Sequence, residues 1–208
     1  MERYRIIDLE HWERKQHYWI FKDYVNPRYD ISFELDITTF LKKVRDNGWS
    51  FTLAMIHSIA VCANQIEEFR YRFEEGQPVV YDILKLSFTY LNQETRLLKN
   101  IVIDMKDDME EFNQYGLEAI ARQKAYFTGP VGNDCYQFSS IPWISFTHIS
   151  HTVSGKKDFA VPMFDWGKYY KLGERVMLPF SMEVHHSFVD GIHIGQFAEL
   201  LQEQFLQL

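Results

Sequence analysis

Cysteine is scarce in this chain: Cys62 and Cys135 are the two in 208 residues. That is too few for a disulfide framework, and reduced thiols in a cytoplasmic protein are the simplest reading. Neither has a neighbouring cysteine or a metal-ligand spacing, which argues against a zinc site, so no metal is expected. Long hydrophobic runs are missing too, so no membrane span is expected, and the polar, charged N-terminus does not read as a signal peptide. Basic residues are in deficit, 22 Lys and Arg against 29 Asp and Glu, for a formal charge of −7. This balance argues against nucleic acid as a partner and means that an anionic ligand would need a local basic patch. Repeats, low-complexity tracts and dividing linkers are absent as well. Residues 1–208 therefore read as one domain, long enough to bury a sizeable core.

What the chain does have is apolar and aromatic periodicity; 16% of its residues are Phe, Trp or Tyr. Residues 10–24 read as a helix, Ile31–Ile37 as an alternating strand and Thr38–Asp46 as a second helix. Phe51–Asn64 is almost continuously apolar and reads as a buried helix. Val79–Tyr90 and Leu97–Met105 read as strands, and Asp107–Phe127 as a helix ended by Gly129-Pro130. Strands follow near Gln137–Ile149, Phe159–Phe164 and Val176–Val184. Ile194, Phe197, Leu201, Phe205 and Leu208 recur every three or four residues, so the last element is an amphipathic helix. Strands interspersed with helices predict an α/β fold, a two-layer sandwich of mixed sheet and helices.

The densest chemical signal is His185-His186-Ser187-Phe188-Val189-Asp190-Gly191. A neutral imidazole is well suited to take a proton from an alcohol or thiol near neutral pH. Upstream, Val176, Leu178, Phe180, Met182 and Val184 alternate with Met177, Pro179, Ser181 and Glu183 at the period of a strand. His186 falls in phase with the first set and is expected to point inward, with His185 pointing the other way. Asp190-Gly191 reads as the closing turn.

His-His-x-x-x-Asp-Gly resembles the signature of the chloramphenicol acetyltransferase family, which also marks dihydrolipoyl acyltransferase cores and peptide-synthetase condensation domains. Three further blocks point to the first of these. Ile7-Asp8 with Trp12-Glu13-Arg14-Lys15 resembles that family's opening, Pro142-Trp143-Ile144-Ser145-Phe146 its internal block, and Leu178-Pro179-Phe180-Ser181 the lead into the histidines. A core of a dehydrogenase complex would bring a lipoyl domain or flexible linker, and a condensation domain about twice this length. The resemblance implies a sheet packed on helices, a homotrimer with sites between subunits, and acetyl transfer from acetyl-CoA to a small-molecule hydroxyl acceptor.

The resemblance also implies roles. His186 is the general base, Asp190 pairs with Arg14 to fix the loop, and His148 stands where a serine hydroxyl supports the tetrahedral intermediate. Phe21, Val25, Tyr29, Leu98 and Asp165 fall at acceptor-contacting positions, with Phe21 replacing a common tyrosine and Asp165 a water-ordering threonine. Lys168 and Tyr169 match a pair along the acetyl-CoA channel, while Ser50 replaces a lysine of an earlier block. The altered acceptor positions leave two alternatives: a different hydroxyl acceptor, or a catalytically idle small-molecule-binding homologue.

Overall fold

The structure is a computed structural model and describes residues 4–127, 131–152 and 158–207. Its backbone is a seven-stranded mixed sheet with four helices on one face. The strands are β1 (Tyr4–Ile6), β2 (Arg28–Asp36), β3 (Tyr71–Glu74), β4 (Gln77–Tyr81), β5 (Lys85–Leu91), β6 (Leu98–Ile103), β7 (Cys135–Ile141), β8 (Met163–Gly167), β9 (Tyr170–Leu172) and β10 (Arg175–His185). The helices are α1 (Lys15–Phe21), α2 (Thr38–Asp46), α3 (Phe51–Asn64), α4 (Met109–Arg122) and α5 (Gly191–Gln207). The large sheet runs β2-β10-β8-β7-β5-β6, with β9 also paired to β10; the small one runs β1-β4-β3. β7 is parallel to both β5 and β8, and the other pairs are antiparallel.

Each helix has a local cause. The Ser50 hydroxyl caps α3 by accepting from Leu53 N, so the residue that replaces a lysine in the resemblance is used here for capping. The Asp108 carboxylate accepts from Glu111 N at 2.9 Å at the start of α4. Helix α3 is buried along nearly its whole length, as its continuous apolar run predicts. Helix α5 lays Ile194, Phe197, Leu201 and Phe205 on the sheet, where Phe197 meets Phe164 and Phe180 at ring-centroid distances of 5.4 and 5.9 Å.

The sequence reading needs several corrections. The strand expected over Val79–Tyr90 is two strands in different sheets, because the chain leaves the small sheet after Tyr81 and enters the large one at Lys85. Helix α1 is shorter than residues 10–24, and α4 ends at Arg122; Gly129-Pro130 and Leu208 lie outside the described residues. Past Ile141 the expected strand is a loop holding the Pro-Trp block, and the strand expected at Phe159–Phe164 lies at Met163–Gly167. The hairpin of β3 and β4 had not been read at all. It turns through Glu75 and Gly76, at φ 51° and 79°, the left-handed pair that a two-residue turn of this hand requires.

The small sheet is tied to the large one by Arg72. Its wholly buried guanidinium donates to the carbonyls of Phe69, Tyr71, Asn133 and Cys135 at 2.7 to 2.9 Å. Those bonds replace the water that the charge lost, which is what makes its burial tolerable.

Candidate active site

Strand β10 is interior to the sheet and covered on both faces, so burial does not alternate along it. The burial inferred from alternation is therefore overturned. His185 is the buried ring, 1% exposed, packed on Phe73 and Phe188 with its Nδ1 accepting from Ser187 N at 3.2 Å. His186 comes just after the strand end, and its side chain is 38% exposed.

The His186 ring is held on three sides. Phe21 stacks on it at 4.0 Å between centroids and 16° between planes, and Tyr29 leans on it at 4.8 Å. Its Nδ1 lies 3.3 Å from Val189 O and 3.2 Å from Asp190 Oδ1. Both neighbours are acceptors, so the ring proton sits on Nδ1 and the lone pair on Nε2. A stacked imidazole with a fixed tautomer on a partly exposed side chain can take a proton from a ligand hydroxyl at Nε2.

Asp190 anchors the turn. Its Oδ2 accepts from Arg14 Nη1 at 2.7 Å, joining residues 176 apart in sequence. Burial alone would raise the Asp190 carboxyl, but the hydrogen bond and charge of Arg14 outweigh it and hold it below the usual range. Asp190 N donates to His193 Nδ1 at 2.9 Å, His186 N to Pro27 O at 2.9 Å, and the Tyr29 hydroxyl to Val189 O at 3.1 Å. Burial pushes the Tyr29 hydroxyl up to about 12, which keeps it a donor.

The remaining site residues lie elsewhere in the chain. Phe33 of β2 packs on Phe180, which packs on α5, so Tyr29, Ile31 and Phe33 face the helix layer. Asp30 and Ser32 face the other way. There the Ser32 hydroxyl meets Ser181 Oγ at 3.0 Å and His148 Nδ1 at 3.4 Å. Asp165 is on that same face, since its neighbour Phe164 packs on Phe197. His151 Nε2 lies 2.9 Å from Asp165 Oδ2. His148 and Asp165 are thus on the side of the sheet away from Tyr29. The loop that carries His148 is pressed onto Gly167, where a Cβ would come within 2.7 Å of Ile144 O.

Leu98 lies farther off still, on edge strand β6, four strand spacings or roughly 19 Å from β10. It shares with Thr52, Tyr90, Arg96, Ser140 and Trp143 a cavity of about 240 Å³. Lys168 and Tyr169 are exposed at the β8–β9 turn; Lys168 N donates to Ile144 O at 2.8 Å, and the Tyr169 ring packs 5.8 Å from that of Phe51, next to Thr52. Val25 is 93% exposed. Asn100, next but one to Leu98 on β6, is buried and accepts from the Ser87 hydroxyl at 3.2 Å.

Sequence reasoning missed His151 and the buried pair of Arg28 with Glu183. The available signal was an aspartate in the apolar run Phe164-Asp165-Trp166 and a glutamate before Val184, both demanding partners. Among the described residues, no group of three or more His, Cys, Asp or Glu could hold a metal, and no helix is long and apolar enough to cross a membrane.

Residues 2–202 match the family described as chloramphenicol acetyltransferase. A chloramphenicol acetyltransferase of Escherichia coli is 32% identical over 203 residues, covering 96% of this chain and 93% of that relative. Chloramphenicol acetyltransferase 3 of Escherichia coli is 28% identical, with 96% of each chain covered. A solved chloramphenicol acetyltransferase superposes with a TM-score of 0.88 at 25% identity, covering 97% of this chain and 99% of that one. The cubic core of the pyruvate dehydrogenase complex shares the fold at a TM-score of 0.65 and 18% identity. With its motif, fold and whole-length match in agreement, this chain belongs to the chloramphenicol acetyltransferase family.

Proposed function

We propose that this protein is an acetyl-CoA-dependent O-acetyltransferase that acetylates chloramphenicol, with His186 Nε2 as general base. The observation that carries the reading is the His186 ring itself: stacked on Phe21, held at Nδ1 by Val189 and Asp190, on a side chain that is partly exposed. His186 would take the proton of the acceptor hydroxyl as that oxygen attacks the thioester carbonyl, then return it to the departing thiolate. A positioned base contributes about 10²–10⁴-fold to such a step. Acetyl-CoA supplies the activated acyl group, and Lys168, Tyr169, Arg96 and Trp143 would hold it. His148 would donate to the oxygen that gains charge.

In this reading the active centre is shared between copies of the chain. His186 and the His148–Asp165 face belong to opposite sides of one sheet, so each would meet its counterpart on a neighbour. Two separate apolar surfaces support this: Trp19, Ile20 and Val25 near His186, and Leu97, Leu98, Trp143 and Ile144 at the β6 edge. Joining one patch to the other is a head-to-tail contact, which closes into a ring, and the homotrimer is the ring we propose. The enzyme would act in the cytoplasm. The testing experiment is release of coenzyme A thiol with chloramphenicol as acceptor. Chloramphenicol-dependent release is expected; its absence, alongside release with another alcohol, would restrict the reading to acetyl transfer alone.

A further inference from the structure

Helix α5 begins directly after the turn that holds His186, with Asp190 as its N-cap. Asp190 O accepts from Ile194 N at 3.3 Å, the first bond of the helix. An N-cap aspartate ordinarily turns its carboxylate onto the free N–H groups of the first turn. Here both oxygens are engaged elsewhere, Oδ2 by Arg14 Nη1 at 2.7 Å and Oδ1 beside His186 Nδ1 at 3.2 Å. The side-chain bond at this helix start runs the other way. Asp190 N donates to His193 Nδ1 at 2.9 Å, so His193 fills the place that a glutamate or glutamine takes in a capping box.

That bond fixes the state of the His193 ring. A backbone N–H only donates, so Nδ1 must hold a lone pair, and the ring is neutral with its proton on Nε2. Nε2 lies 3.6 Å from Glu68 Oε1, on the short 3₁₀ helix Glu67–Arg70. The two side chains are 12% and 24% exposed, so the imidazole bridges two elements largely out of water.

We propose that His193 is a positioning residue for the general base, holding the backbone of Asp190 while Arg14 holds its carboxylate. The proposal rests on the reading of His186 as that base. Both acceptors beside His186 Nδ1, Val189 O and Asp190 Oδ1, belong to the turn that His193 ties down. Without the Nδ1 acceptor a part-buried N–H loses its partner, the turn relaxes, and the His186 ring loses its alignment. Because His193 acts through the turn, its loss falls on kcat and leaves the KM of acetyl-CoA unchanged.

The same lone pair makes the turn sensitive to acid. Burial, the largest influence, lowers the titration of His193 below the ordinary histidine range. Arg14 and His17, at the start of α1, add to the fall, while Glu68 and Asp190 oppose it. As pH drops through that lowered titration, Nδ1 gains a hydrogen and no longer accepts from Asp190 N.

The test is chloramphenicol-dependent thiol release against pH for the wild type, His193→Gln and His193→Phe, with melting temperatures to establish folding. Glutamine accepts from an N-cap N–H as in a capping box and does not titrate; phenylalanine keeps a ring and has no acceptor. His193→Phe is expected to lower kcat about ten- to a hundredfold with the KM of acetyl-CoA unchanged. His193→Gln should restore kcat close to the wild-type value. On the acid side the wild-type kcat should fall more steeply than that of His193→Gln, because two imidazoles protonate there instead of one. A His193→Phe enzyme that turns over like the wild type, or a His193→Gln enzyme as impaired as His193→Phe, would overturn the proposal and leave the acetyl-transfer reading intact. No release by the wild type would overturn that reading and the proposal that rests on it. Should His193→Phe fail to fold, equally steep acid limbs in the wild type and His193→Gln overturn the proposal by themselves.

Discussion

Arg14 and Asp190, 176 residues apart, meet at 2.7 Å and join α1 to the turn that bears His186. The pair sits at 12% and 23% side-chain exposure, so its partners are largely shielded from water. Removing either one leaves the other charge with poor solvation. A double-mutant cycle of Arg14→Val and Asp190→Asn should give a coupling of about 0.5–3 kcal/mol in unfolding free energy. Strict additivity would mean that the contact contributes nothing.

The same carboxylate predicts a pH effect. The folded-state value of Asp190 is depressed, so its contribution to stability is present above the unfolded carboxylate value and is lost as pH falls through the folded one. The melting temperature of the wild type should therefore fall more steeply on acidification than that of Asp190→Asn. Parallel curves would contradict the assignment.

His185 and His186 should separate in their effects. His186→Ala should lower kcat by about 10²–10⁴-fold with little change in acetyl-CoA binding or melting temperature. His185→Ala removes a buried ring packed on Phe73 and Phe188 and should chiefly destabilise. A well-folded His185→Ala enzyme with the larger loss in kcat would reverse the roles.

Phe21 offers a subtler test. Its ring fixes the imidazole face-on, and aromatic pairs of this kind contribute about 0.5–1.5 kcal/mol. Phe21→Leu should lower kcat up to about tenfold while His186 stays in place. An unchanged kcat would show that Val189 and Asp190 suffice to hold the ring.

Gly167→Ala tests the loop that carries His148. The added Cβ would lie 2.7 Å from Ile144 O and 3.0 Å from the Phe146 ring, so the loop must shift. A stability loss of about 1–3 kcal/mol is expected, with a fall in kcat if His148 takes part. Full activity in the destabilised protein would remove His148 from the mechanism.

Much of the fold was legible because its cues are local. α2 and α3 begin and end where the periodicity says, and α5 buries Ile194, Phe197, Leu201 and Phe205 as predicted. What was not legible depends on partners far apart in sequence. Which of His185 and His186 is buried could not be read from alternation, since β2 and β8 flank β10 and residues on both of its faces are buried. The pairing of Asp165 with His151 and of Arg28 with Glu183 required strand order, which no window of sequence contains. The split at Asp82–Leu84 was missed because apolar residues flank it on both sides.

Subunit complementation tests the shared centre most directly. His186→Ala removes the proposed base, and Ser32→Trp fills the space beside Ser181 and His148 on the opposite face. Each variant alone should be nearly inactive. When the two are unfolded together and reassembled at equal concentration, a random ring pairs an intact His186 with an intact neighbouring face at about one site in four. The account predicts recovery of thiol release to about a quarter of the wild-type rate. No recovery from mixed trimers, shown to have formed by mass, would contradict it.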